Sequence, residues 1–114
     1  MSKRYCLTLN LKNEPDLIRQ YEEHHKKVWP EIIASIKGAG IQQMEIYRFG
    51  TRLFMIMDVD DDFSFDKKSE LDKANKKVQQ WEELMWKYQE PLKEATNGEK
   101  WMLANKIFDL EEYH

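Results

Sequence analysis

The stretch at residues 41–60, IQQMEIYRFGTRLFMIMDVD, contains two β-strand patterns joined by a short turn, and it decides the fold. Residues 41–49 and 52–60 supply the strands, and Phe49-Gly50-Thr51-Arg52 between them predicts a hairpin turn. The second strand is apolar at nearly every position from Leu53 to Val59. A strand of this kind is typical of a sheet that is buried on both faces.

The segments on either side of this hairpin complete a β-α-β-β-α-β order. Residues 4–11 alternate between large apolar and smaller or polar side chains, which predicts a first strand. A helix follows to Gly38, a second helix is predicted at about residues 69–90, and a loop with Gly98 leads to a last strand at residues 101–110. This order predicts an α+β fold of the ferredoxin-like class, with both helices on one face of a four-stranded antiparallel sheet.

Prolines mark the helix ends. Pro15 suits the first turn of the first helix, whereas Pro30 lies inside it and predicts a kink or a break after Val28. Pro91 ends the second helix. Each helix carries an apolar stripe with steps of three and four, at Ile18, Tyr21, His25, Val28, Ile32 and Ile36 in the first and at Leu71, Ala74, Val78, Trp81, Met85 and Tyr88 in the second.

The sheet face opposite the helices also carries large apolar side chains. These are Tyr47, Phe49, Phe54, Ile56 and Phe108. An exposed apolar patch of this size marks an interaction site in most soluble proteins. The pattern therefore predicts a homodimer that packs sheet against sheet.

Length and composition exclude several classes of function. The 114 residues predict a single domain spanning 1–114. A net charge of −3 argues against a nucleic-acid partner, which usually requires a basic surplus. No run of residues is long and apolar enough for a membrane span, and no signal-peptide pattern follows Met1, so a cytoplasmic protein without a membrane partner is expected.

No cofactor or metal is expected. The single cysteine, Cys6, excludes an internal disulfide and a cysteine metal cage, and it has no evident activating base. The acidic run Asp58–Asp62 lacks the glycine and glutamate spacing of a calcium loop and reads as a solvated turn. The four glycines form no phosphate-binding loop.

Tyr21 and His25 are the first candidates for chemistry, because their spacing of four places both on the inward face of the first helix. One interpretation is structural: a buried histidine satisfied by a backbone carbonyl, beside a packed tyrosine ring. The other is a general acid and base in a cleft between helix and sheet. His24 lies about 100° further round the helix and is expected to be solvated.

Trp81 has the same two interpretations, since its place on the inward stripe of the second helix suits both core packing and a flat platform for a sugar. Glu82, Glu83 and Trp86 lie further round that helix, and Trp86 is expected to be the most exposed of them.

The motif Tyr21-x-x-x-His25-x-x-x-Trp29-Pro30-Glu31 resembles the signature of the L-rhamnose mutarotase family, and Ile46-Tyr47, the strand at residues 53–57 and the Trp81 helix follow in matching order. The resemblance covers nearly the whole chain. It implies a ferredoxin-like dimeric α+β barrel. It also implies interconversion of the α and β anomers of a 6-deoxy-L-hexose such as L-rhamnose or L-fucose, without cofactor or metal.

The resemblance also implies roles for individual residues. His25 matches the family's proton donor, Tyr21 a sugar-binding tyrosine, and Trp81 the first of two adjacent sugar-contacting tryptophans. The second tryptophan falls on Glu82, and a further contact tyrosine falls on Met44, so this chain departs from the pattern at two positions. The segment at residues 81–89 resembles relatives assigned to L-fucose. The remaining candidate sugar contacts are Trp29, Tyr47 and Trp86.

The sequence leaves two alternative functions open besides a mutarotase. The first is a cofactor-free oxygenase or a similar dimeric α+β barrel enzyme that acts on an aromatic substrate. The second is a non-catalytic module that binds a small ligand. The spacing of Tyr21, His25 and Trp29 favours the mutarotase over both.

Overall fold

Five strands form one antiparallel sheet in the computed structural model, which describes residues 2–96 and 100–112. The strands are β1 (Ser2–Leu11), β2 (Ile41–Phe49), β3 (Arg52–Asp60), β4 (Gln89–Glu90) and β5 (Met102–Leu103). β3 lies between β2 and β1, and the two short strands both pair with β1. The hairpin predicted at residues 41–60 is confirmed. Gly50 takes a φ of 60° in its turn, a conformation that suits glycine.

Within the part of the chain that the structure describes, four α-helices connect the strands: α1 (Pro15–Lys26), α2 (Pro30–Gly38), α3 (Phe65–Lys73) and α4 (Lys76–Trp86). A 3-10 turn follows at Leu110–Glu112. Pro30 causes a complete break, which is one of the two predicted outcomes. Helix α1 ends at Lys26, and α2 begins at the proline itself. Proline fits that first helical position since its missing N–H would have no partner there.

The second predicted helix is wrong as a single element. It begins earlier than residue 69, ends at Trp86 instead of residue 90, and is divided into α3 and α4. The division occurs because the Asn75 side chain accepts hydrogen bonds from the backbone N–H groups of Lys77 and Val78, at 3.0 and 3.3 Å. Such a cap starts a new helix and competes with continuation of the old one.

The last predicted strand is also wrong in extent, since only Met102–Leu103 of residues 101–110 is a strand. Ala104 still donates a backbone hydrogen bond to Cys6, at 2.8 Å, and the chain then leaves the sheet. Further along, Asp109 favours the 3-10 turn at Leu110–Glu112, because its carboxylate binds the Lys106 ammonium at 2.7 Å and accepts the backbone N–H of Glu111 at 3.0 Å. The predicted loop around Gly98 lies outside the described residues.

The helices cover one face of the sheet, which confirms the predicted layer arrangement. Buried side chains of the sheet, of three helices and of the turn after α4 form the main core, namely Leu11, Tyr21, Ile32, Leu53, Val78, Trp81, Met85 and Tyr88. A second cluster continues along the same face with Leu7, Ile41, Met57 and Val59. None of the helices among the described residues has both the length and the apolar character needed to cross a lipid bilayer.

Within one chain only one face of β3 is covered, so the predicted burial of its other face depends on a partner. Leu53 and Met57 are buried beneath the helices, whereas Phe54 is 38% exposed on the opposite face. Its cross-strand neighbour Tyr47 is 52% exposed. We call this side, with Tyr47, Phe49, Phe54 and Ile56, the open face. Phe108 is exposed as well, although it lies outside any strand.

Candidate active site

A cleft of about 1030 Å³ lies between the helices and the sheet. Most of the candidate residues lie along it. Its lining includes Tyr21, His25, Met44, Trp81, Glu82 and Trp86 from the predicted set, together with Gln89, Lys100 and Trp101. The volume and the aromatic lining suit a small organic ligand.

His25 has one ring nitrogen engaged and one available. Its Nδ1 lies 2.8 Å from the backbone carbonyl oxygen of Tyr21, and a carbonyl can only accept, so Nδ1 carries the proton. In the neutral ring Nε2 then has a free lone pair, and no described residue hydrogen-bonds it. His25 therefore combines the two interpretations made from the sequence, since a carbonyl satisfies it and a basic nitrogen remains.

Electrostatics keep this imidazole neutral. Burial lowers the pKa of His25 below 6.5, the hydrogen bond to Tyr21 opposes this shift, and the nearby His24 adds to it. A histidine with a lowered pKa is unprotonated at pH 7. His25 is therefore a base in its resting state, and it becomes an acid only after it has taken a proton.

Tyr21 lies beside His25, with 4.4 Å between the ring centroids. Its side chain is buried, and burial raises the pKa of Tyr21 to about 12. The hydroxyl therefore stays protonated and can donate a hydrogen bond. Gln89 approaches the same hydroxyl, with 3.5 Å between its Nε2 and the Tyr21 oxygen.

The expectation that His24 is solvated is wrong. The residue is half-buried, its Nε2 lies 3.1 Å from the Tyr88 hydroxyl, and its ring meets Trp81 edge to face at 6.4 Å. The helical offset of 100° from His25 is real, but Trp81 of α4 and Tyr88 after it lie against that side too. His24 therefore belongs to the packing around the cleft.

Trp81 belongs to the hydrophobic core and also lines the cleft. It is buried, lines the cleft, and meets the His25 ring edge to face at 5.8 Å. Trp29 contacts Trp81 at 5.1 Å between centroids but does not itself line the cleft. The break between α1 and α2 places Trp29 against Trp81, on the side of Trp81 that faces away from the cleft. Trp29 of the motif therefore packs behind a residue that lines the cleft.

Trp86 and Glu82 extend the wall beyond Trp81. Trp86 is half-buried, although the sequence predicts exposure, because the Lys100 ammonium lies 4.6 Å from its ring centroid. The same ammonium donates to the backbone carbonyl of Glu82 at 3.1 Å. Burial lowers the pKa of Lys100, while the Glu82 carboxylate raises it. Glu83 also lines the cleft but is more exposed.

Two predicted contacts from β2 separate in the structure. Met44 is half-buried and lines the cleft, where it pairs across the sheet with Met57. Tyr47 points to the opposite face because its position differs from that of Met44 by an odd number in the strand. The structure therefore does not bring Tyr47 to the cleft of its own chain.

The sequence analysis missed Gln89, Lys100 and Trp101 as cleft residues. Gln89 follows the apolar stripe of α4 directly, and its role depends on β4, a two-residue strand too short to give a periodic pattern. Lys100 and Trp101 come close only through the chain's return to β1. Among residues 2–96 and 100–112, no group of three or more histidine, cysteine, aspartate or glutamate side chains could hold a metal ion.

These features define a small α+β protein in which a half-buried histidine with a free ring nitrogen faces a cleft lined by aromatic side chains. A family model described as L-rhamnose mutarotase matches residues 4–110 of the chain. The chain belongs to this family and is a sugar mutarotase, an isomerase. The mutarotase interpretation is confirmed, and the oxygenase and binding-module alternatives are not favoured.

Individual relatives agree with this assignment. The chain is 43% identical over 112 residues to an L-fucose mutarotase of Xanthomonas campestris pv. campestris, with 96% of this chain and 90% of that protein covered. The crystal structure of an L-rhamnose mutarotase from Formosa agariphila superimposes with a TM-score of 0.69 at 19% identity, covering 96% of this chain and 99% of that one.

The fold is shared more widely. A dimeric ferredoxin-like protein from an uncultured marine organism matches with a TM-score of 0.53 at 12% identity, covering 93% of this chain and 90% of that one. Identities this low concern the fold alone. They confirm the ferredoxin-like α+β class predicted from the order of strands and helices.

Proposed function

We propose that this chain interconverts the α and β anomers of a 6-deoxy-L-hexose, with L-fucose preferred over L-rhamnose. The 43% identity to an L-fucose mutarotase supports the sugar, as does the departure of Glu82 and Met44 from the L-rhamnose pattern. The observation that carries the chemistry is the His25 ring, held by the Tyr21 carbonyl with its basic nitrogen left available in the cleft.

Mutarotation requires one proton to move between two oxygens on the same carbon. The neutral Nε2 of His25 takes the proton from the anomeric hydroxyl, the bond between the anomeric carbon and the ring oxygen breaks, and the imidazolium protonates the ring oxygen. The product is the open aldehyde. Closure on its other face reverses these steps after rotation of the aldehyde. The sugar is neither oxidised nor reduced, so the chemistry requires no redox group.

The other cleft residues bind and orient the sugar. Trp81 and Trp86 offer apolar surface to the methyl group and the C–H face of a 6-deoxy sugar. The protonated Tyr21 hydroxyl donates to a sugar oxygen beside His25. Met44 and Glu82 take the positions that hold sugar-contacting aromatics in the family pattern. Trp29 acts through Trp81 and is a positioning residue.

Anomer exchange measured by NMR saturation transfer tests the function. Saturation of the α-anomeric proton should reduce the β signal of L-fucose more strongly with the protein than without it, and the effect on L-rhamnose should be smaller. Exchange at the spontaneous rate for both sugars would contradict the proposal. Line broadening without faster exchange would indicate a binding module instead.

A homodimer is the second part of the proposal. The open face leaves Tyr47, Phe49 and Phe54 exposed on strands whose other side is covered, and a second copy of the same face would bury them. Light scattering at micromolar concentration should give twice the subunit mass, and Phe54→Glu should shift the mass toward 13.8 kDa. A wild-type mass of one subunit would contradict this. The single domain over 1–114 and the cytoplasmic location stay predictions from the sequence.

A further inference from the structure

Gln89 lines the cleft, and its side chain carries a buried polar atom that has no partner among the described residues. Its side chain is only 4% exposed, yet its Oε1 is buried without a hydrogen-bond partner among the described residues. The great majority of buried side-chain polar atoms in proteins have such a partner. An orphaned amide is therefore a cost that a purely structural position would not require.

The opposite end of the same carboxamide is engaged. Gln89 Nε2 lies 3.5 Å from the Tyr21 hydroxyl oxygen and donates to it. Turning the amide by 180° exchanges its oxygen and nitrogen, but one end still meets Tyr21 and the other still meets nothing. The unsatisfied end is thus a property of the position and does not depend on how the amide is turned.

The backbone of β4 holds Gln89 in place. Gln89 pairs with Leu11 of β1, and the preceding carbonyl of Tyr88 accepts the N–H of Lys12 at 2.8 Å. Alternation along the strand sends Glu90 to the exposed side and Gln89 to the side of the helices. A side chain held on paired strands is more rigid than one on a loop, which suits a residue that must meet a ligand at a fixed place.

We propose that Gln89 is a substrate-binding residue whose free carboxamide end hydrogen-bonds one ring hydroxyl of the sugar. The inference rests on the proposed function and deepens it. An amide oxygen accepts from a hydroxyl, and the neighbouring Tyr21 hydroxyl donates, so the pair offers an acceptor and a donor without charge. This combination selects a neutral polyol over a carboxylate or a phosphate.

Substitution of Gln89 by methionine tests this role, with Gln20→Met as the matched control, since Gln20 is exposed on α1 and does not line the cleft. Gln89→Met should reduce kcat/KM for L-fucose by about 10- to 100-fold, the range expected for one lost hydrogen bond to a buried partner. The melting temperature should stay the same or rise, because an unsatisfied polar group is removed. Gln20→Met should change neither quantity.

Deoxy analogues of L-fucose identify the hydroxyl and keep the test independent of the variant's folding. The wild-type protein should discriminate against one of the 2-, 3- and 4-deoxy sugars by about 10- to 100-fold, relative to spontaneous exchange. Gln89→Met should lose that discrimination and keep it at the other positions. Equal wild-type rates on all three analogues, or equal discrimination by wild type and variant, would overturn the inference.

The outcomes separate this inference from the proposed function. If wild-type protein exchanges L-fucose and Gln89→Met exchanges it equally fast, the mutarotase stands and only the role of Gln89 is wrong. If wild-type protein accelerates no sugar, the proposed function fails, and the assignment of Gln89 fails with it.

Discussion

The two faces of the sheet are built from the same strands but differ in how far their side chains are buried. On β3, Met57 is 2% exposed beneath the helices, whereas Phe54 on the other side stands 38% exposed. The helix side buries Gln89 and half-buries His25, which are polar groups that cost free energy to bury. The open face leaves apolar side chains exposed, which also costs free energy.

The two faces bury different kinds of side chain, and this contrast indicates where function is located. An unsatisfied buried amide and a histidine with a lowered pKa both lower stability, and here they line the same cleft. Such groups are typical of functional sites. The exposed aromatic side chains of the open face would be buried if a second copy of the chain packed against them. The helix side is therefore the proposed site of the chemistry, which we call the chemical face, and the open face is the proposed site of association.

The largest expected effect is the loss of catalysis in His25→Ala. Removal of a general acid and base should slow anomer exchange by about 10²- to 10⁴-fold, or roughly 3–5 kcal/mol of activation free energy. NMR saturation transfer measures the rate. Lys27→Ala is a better control than His24→Ala, because Lys27 is exposed whereas His24 contacts Trp81 and Tyr88. A folded His25→Ala protein with the wild-type rate would remove the chemical distinction between the faces.

The second effect compares adjacent residues of β3. Met57→Ala should lower the free energy of unfolding by about 2–5 kcal/mol, since it opens a cavity in the core. Ile56→Ala, one position along on the open face, should cost less because its side chain is only half-buried. Urea denaturation measures both. Equal losses in a sample shown by light scattering to be monomeric would mean that both faces are buried within one chain.

Sequence patterns predicted the elements with strong local signals. The hairpin at residues 41–60 followed from alternation and a glycine turn, and the α1–α2 break followed from Pro30. The α3–α4 break did not, because Asn75 sits within an otherwise continuous apolar stripe. The last strand was overestimated because only Met102 and Leu103 pair with β1, and residues 104–109 have left the sheet.

The candidate site divides in the same way. Tyr21 and His25 followed from one helical face, and Trp81 from another, so the centre of the cleft was predictable. Gln89 was not, because its burial depends on pairing with β1. His24 was wrongly placed in solvent because a helical wheel shows only one helix and cannot show what later segments bring against its other side.

The third prediction tests how far the chemical face depends on the break between α3 and α4. Asn75→Ala removes the side-chain cap of α4, which carries Trp81, and should cost about 1 kcal/mol of stability. Thermal unfolding measures the loss. Asn75→Ser keeps a capping oxygen and should retain most of the stability. An unchanged melting temperature in Asn75→Ala would show that tertiary packing alone fixes the start of α4.

The smallest effect is a dependence of stability on pH. Burial lowers the pKa of His25 below its unfolded value of 6.5, so the unfolded chain binds more protons than the folded chain between those two values. The free energy of unfolding should therefore fall as pH decreases through 6.5 toward the lowered pKa, and the His25 contribution should level off within about one unit above 6.5. His25→Asn should lose this component, measured by urea denaturation across the range. A pKa of His25 at or above 6.5 by NMR titration would contradict the neutral resting state, and with it the base that begins ring opening.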